Sequence, residues 1–81
     1  MEARRKQLNV TDLEDEQIGI IITISGGVKA SKRLADLGLT PGTEITVIGR
    51  TLFSGPIQIE VSGSKLVLGK GLASKIQVEL K

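Results

Sequence analysis

The chain has no cysteine, histidine, tryptophan or tyrosine, and Phe53 is its single aromatic residue. Each absence closes a class of function. Without cysteine there is neither a disulfide staple nor a thiolate zinc site, and without histidine the usual ligand for borderline divalent metals is missing too. A nucleophilic triad needs a base, and only lysine or a carboxylate is left to serve. No serine stands in a G-x-S-x-G setting; Ser54 and Ser64 read as turn residues. Residues 63–70 have the outline of a phosphate loop, but five residues separate Gly63 from Gly69, and Gly71 stands where Ser or Thr should hold magnesium. The chain therefore reads as a non-enzyme with no cofactor and no metal site.

Long apolar runs are absent as well. The richest, residues 18–24, is broken by Gly19 and Thr23 and falls far short of the roughly 20 residues of a membrane-spanning helix. Residues 1–7 are polar and lead into no apolar segment, so neither membrane insertion nor a secretory signal is expected, and the expected location is cytoplasmic. Positive charge is in short supply too. The formal net charge of +2 resides in residues 1–7, where Arg4, Arg5 and Lys6 outweigh Glu2, leaving eight basic and eight acidic residues elsewhere. Residues 1–7 are expected to form a flexible basic tail and residues 8–81 one small domain. A neutral domain with a single aromatic residue lacks both the basic groove and the stacking platform of a nucleic-acid-binding barrel, so no nucleic acid partner is expected.

What remains is a core of Ile, Val, Leu and Ala, whose β-branched excess favours strands. The chain is organised around residues 34–47. Gly38 follows a helical run in the C′ position, where a left-handed residue is needed. Pro41 forbids continuation of the helix and presets a turn, Gly42 supplies its permissive second corner, and Thr43 onward alternates as a strand does. Upstream, the Thr11–Glu14 pair has capping-box spacing, and Asp12, Glu14, Asp15 and Glu16 suit the positive end of a short helical turn. As a hard-metal site that acidic cluster has nothing to enforce convergence of its ligands.

Residues 18–25 predict the first strand, with Ile18, Ile20, Ile22 and Ile24 on one face and Gly19, Ile21, Thr23 and Ser25 on the other. Over residues 28–37 the period becomes helical. Lys29, Lys32, Arg33 and Asp36 share an arc of about 100°, while Val28, Ala30, Leu34, Ala35 and Leu37 occupy the remainder. Strands are then predicted at residues 44–52, 57–62, 65–69 and 76–80, with a type II′ turn at Gly63-Ser64 and one helical turn over residues 69–74. The fold expected is mainly β: a small barrel of about five strands with one short amphipathic helix between the first and second. Two surfaces stand out. Leu52 and Phe53 occupy a predicted loop tip, where they either fold back over the barrel mouth or anchor a protein partner. Lys29, Lys32 and Arg33 form a charged rim, or else simply the solvated side of the helix.

The ordered set Leu34, Leu37-Gly38-Leu39, Pro41-Gly42, Ile45, Val47, Gly55-Pro56, Ile59, Gly63, Leu66, Leu68, Ala73, Ile76 and Val78 resembles the FeoA family, small accessory proteins of bacterial ferrous iron transport. The resemblance spans residues 8–80, and the LGL-x-PG joint, the downstream GP and the A-x-x-I-x-V ending are specific in combination. It implies an SH3-like barrel and a non-enzymatic, cytoplasmic adaptor, and a monomer is expected. That adaptor would act by protein–protein contact on a FeoB-type membrane transporter, through the transporter's cytosolic GTP-binding portion, with Leu52, Phe53, Lys29, Lys32 and Arg33 as candidate contacts. The domain also resembles the C-terminal module of iron-dependent repressors, although no DNA-binding helices precede it in this sequence. An SH3-like interaction module of another regulatory system is the alternative, and a nucleic-acid-binding small barrel a more distant one. One departure from the family pattern is Gly71, a poor helix former in the short turn before Ala73.

Overall fold

The computed structural model describes residues 8–50 and 55–81. Strand β1 (Leu8–Asn9) leads through a 3-10 turn (Val10–Asp12) to β2 (Ile18–Ile24) and helix α1 (Gly27–Asp36). Strands β3 (Glu44–Arg50), β4 (Ile57–Val61) and β5 (Ser64–Leu68) follow, then helix α2 (Lys70–Ala73) and strand β6 (Ile76–Leu80). The strands form one antiparallel sheet in the order β1-β6-β2-β3-β4-β5. The mainly β, SH3-like reading holds with two corrections. Among the described residues the sheet has six strands rather than about five, and it is not closed, because β1 and β5 are its two ends. The added strand is only two residues long and sits next to the polar N-terminal stretch, where no alternation could reveal it. It is held by pairing Leu8 with Val78 and Asn9 with Gln77, and by Gln77 Nε2 donating to Asn9 Oδ1 at 2.9 Å.

The inner face of β2 is not its isoleucine row. Gly19 and Ile21 are the buried positions, while Ile18 and Ile20 lie half-buried on the other face. Pairing with β6 then slips between Ile21 and Thr23, so that an extra residue, Ile22, is 37% exposed and Ile24 turns back to pack against the core. Such a bulge reverses the facing of every residue beyond it, which simple alternation cannot anticipate. Gly19 is required where it stands: a Cβ there would lie 3.1 Å from Val78 Cβ and 3.2 Å from Leu13 Cδ1. Only a bare backbone lets those two buried side chains close over β2.

Helix α1 ends as its sequence demands. Leu39 N donates to Leu34 O at 2.9 Å and Gly38 N to Ala35 O at 2.9 Å, with Gly38 at φ 85°. These are the paired bonds of a Schellman motif, accompanied by burial of Leu34 and Leu39 in one cluster. The next turn closes with Thr43 N donating to Thr40 O at 3.0 Å, Gly42 taking φ 93° at its second corner. The helix meets the core through a narrower stripe than expected. Only Ala30 and Leu34 are buried, whereas Val28 is 83% exposed and Leu37 41% exposed. At 100° per residue Val28 lies on the far side of the helix from Ala30.

Two turns differ locally from expectation. The β4–β5 turn is Ser62-Gly63, one residue earlier than predicted, with φ of 51° and 82° and Val61 paired to Ser64. Positive φ at both corners makes it type I′ rather than II′. The N-terminal cap also sits earlier: Asn9 N donates to Asp12 Oδ2 at 2.9 Å, while Glu14 N donates to Gln17 Oε1 at 2.8 Å. Helix α2 forms where one helical turn was expected, Gly71 included.

Candidate functional site

The cationic face of α1 is built from the corner that precedes it. Gly26 and Gly27, at φ 98° and 80°, swing the chain out of β2 and into the helix. The corner is tied down by Ser25 N donating to Lys75 O at 2.8 Å. The Lys75 stem lies so close over Gly26 that a Cβ there would meet its Cδ and Cε at 2.8 Å. From that fixed start, the buried pair Ala30 and Leu34 sets the rotation of the helix and turns Lys29, Lys32 and Arg33 to solvent. Asp36 is exposed as well. None of the three cations forms an ion pair with a described residue, so their charge is available to a partner.

The structure thus presents Lys29, Lys32 and Arg33 together on one exposed arc. The other two candidates, Leu52 and Phe53, lie outside the described residues.

Two shallow concavities are formed by described residues. One is lined by Thr43, Glu44, Thr46, Glu60, Ser62 and Gly63 on the outer face of β3 and β4. Glu44 Oε1, in its lining, is reached by Lys81 Nζ at 3.0 Å. The other is lined by Asp12, Leu13, Glu14 and Asp15, with Leu13 buried. Among the described residues no three His, Cys, Asp or Glu side chains are grouped to hold a metal, and no buried side-chain nitrogen or oxygen lacks a partner. No helix among them is long and apolar enough to cross a membrane. The described surface therefore offers charged and apolar contact areas.

Sequence reasoning passed over one exposed position. Val67 is 68% exposed on β5, the strand at the end of the sheet. The inward assignment of Leu66 and Leu68 already implies that Val67 points outward; that β5 has a free side could be read only from the strand order.

Comparison with known proteins bears on both fold and kinship. The FeoA domain model matches residues 8–80. A protein of Methanocaldococcus jannaschii, provisionally named Fe(2+) transport protein A, is 38% identical over 66 residues, covering 82% of this chain and 77% of its own. A crystal structure of an iron uptake regulatory protein, FeoA, superposes with a TM-score of 0.85 at 34% identity, covering 94% of this chain and 99% of that one. A manganese-dependent transcriptional repressor gives the same TM-score of 0.85 at 20% identity, covering 98% of this chain and 44% of the repressor. That last likeness shows the fold alone. The match over residues 8–80 and the 38% identity show kinship, and the chain belongs to the FeoA family.

Proposed function

We propose that this protein is a cytoplasmic, monomeric accessory factor of ferrous iron uptake that acts by contact with the cytosolic GTP-binding portion of a FeoB-type transporter. The observation that carries the proposal is the family match over residues 8–80, seconded by a relative whose name ties it to Fe(2+) transport. On this reading the protein is neither an enzyme nor a carrier of iron. Lys29, Lys32 and Arg33, exposed and without an ion pair among the described residues, steer and orient the partner. Leu52 and Phe53 supply the apolar anchor.

The test is backbone NMR of the labelled protein, titrated with the soluble GTP-binding portion of the transporter and separately with ferrous ion under anaerobic conditions. Shifts clustered on residues 28–37 or 52–56 with the protein partner, and none with iron, are the expected result. Neutralising all three cations to glutamine should slow association and remove most of its salt dependence. Saturable shifts over residues 12–16 on adding iron would overturn the non-carrier reading, and silence toward the partner would overturn the assignment of the partner.

A further inference from the structure

Strand β5 offers something that no other described element does. Its register against β4 runs without a break through Ile57↔Leu68, Gln58↔Val67, Ile59↔Leu66, Glu60↔Lys65 and Val61↔Ser64. The closing pair of a two-residue hairpin exchanges both backbone bonds, and bonded pairs alternate from there. Ser64, Leu66 and Leu68 therefore aim their backbone groups at β4. Lys65 and Val67 aim theirs the other way, where no strand pairs among the described residues.

Free sheet edges are ordinarily blunted by proline, by bulges, by brevity or by a covering segment. The opposite edge, β1, is two residues long, and the β2 and β3 ladders are interrupted by bulges at Ile22 and Ile48. Strand β5 carries neither proline nor bulge along its five residues. Beside its open backbone groups stand Val67, 68% exposed, and Lys65, exposed and without an ion pair to any described residue. These two lie on one face, two residues apart, and Lys70 places a further exposed cation just beyond the strand.

We infer that β5 is a docking edge for an extended, acidic segment of a partner protein, which adds to the sheet as a seventh, antiparallel strand. The chemistry of the occupant follows from the edge. Its backbone bonds to the N–H and C=O of Lys65 and Val67. Read from N to C terminus it carries an apolar residue opposite Val67 and, two positions later, a carboxylate opposite Lys65. A second copy of this chain fits less well. Pairing β5 with itself about Leu66 sets Lys65 against Val67, and pairing about Val67 sets Lys65 against Gly69. Neither register gives Lys65 an acid. This surface is separate from the face of α1 and stands whichever partner that helix contacts.

The probe is a capped heptapeptide with valine and glutamate two positions apart and serine or threonine elsewhere, with a control in which lysine replaces the glutamate. In the labelled protein, the amides of Lys65 and Val67 should exchange rapidly when free and become protected on adding the peptide. Those of Ser64, Leu66 and Leu68, already bonded to β4, should change little. Val67→Pro removes an outward N–H without touching the β4 ladder, and should weaken binding by about tenfold or more through one lost bond and one lost contact. Lys65→Glu should reverse the preference between the two peptides. Cross-strand contacts between β4 and β5 report that either variant is folded. No protection of Lys65 and Val67 at millimolar peptide, or equal binding of the lysine control, would refute the inference. Protection that rises with protein concentration alone would replace the acidic partner with a second copy.

Discussion

Gly19 and Gly71 are both glycines within regular elements, yet their replacement by alanine should move stability in opposite directions. At Gly19 the new Cβ would lie 3.1 Å from Val78 Cβ and 3.2 Å from Val78 Cγ2 and Leu13 Cδ1. Carbon atoms settle at about 3.5–4.0 Å, so each contact must open by a few tenths of an ångström. Leu13 can rotate, but Val78 Cβ is fixed to a backbone paired on both sides, to Leu8 and to Ile21. Overpacking of this kind costs about 1–3 kcal/mol, against about 0.4–1 kcal/mol gained by restricting the unfolded chain. The net loss for Gly19→Ala is therefore about 1–2 kcal/mol. At Gly71 a Cβ would meet nothing within 4 Å, so only the favourable contribution survives. At about 4–8 °C per kcal/mol for a domain of this size, the two variants should melt roughly 10 °C apart, with the wild type between them. Far-UV circular dichroism in urea and on heating is the assay, since the chain has no tryptophan or tyrosine to follow. A Gly19→Ala variant as stable as the wild type would show that β6 yields freely, and the argument for close packing over β2 would fail.

Three further outcomes follow from the same geometry. Leu34 is fully buried and is one of only two buried residues of α1, so Leu34→Ala should cost about 2–4 kcal/mol. Hydrogen exchange should speed up across α1 before it does in the sheet, and uniform loss of protection would show that the helix is integral to the core. Ser62 occupies a left-handed corner at φ 51° ahead of Gly63, so Ser62→Asn should raise stability by about 0.5 kcal/mol, measurable as a higher urea midpoint. The Lys81–Glu44 pair is about half exposed on both sides, at 55% and 48%, so Glu44→Gln should change stability by no more than about 0.5 kcal/mol, and less in high salt.

The features legible in the sequence were those governed by local rules. Gly38, Pro41 and Gly42 each have one conformational use in that order, and the helix stop and turn appear where those residues require them. The arc holding Lys29, Lys32 and Arg33 follows from the helical period alone. The β4–β5 register was not legible, because two registers keep Ile59, Val61, Leu66 and Leu68 on one face. The observed one differs by pairing Ile57 with Leu68, where the predicted turn would have set Ile57 opposite Lys70. In β2 the alternation was correct only up to Ile21, since nothing in an unbroken isoleucine run marks where an extra residue is accommodated. Strand order is a long-range property, and it decided both that the sheet stays open and that Val67 lies beside a free edge.

The place of β6 in the sheet bears on how the protein comes into being. The strand latest in sequence is seated between two of the earliest, bonded to β1 on one side and β2 on the other. Without Ile76–Leu80, Leu8 and Asn9 have no strand to pair with among the described residues, and β2 is paired on the β3 side alone. Contacts that join the two ends of a chain are slow to form, because so much intervening chain must be ordered first. The sheet is therefore completed by a long-range step, the return of β6 to the strands that open the described chain, and a sheet lacking it keeps an exposed seam along β2.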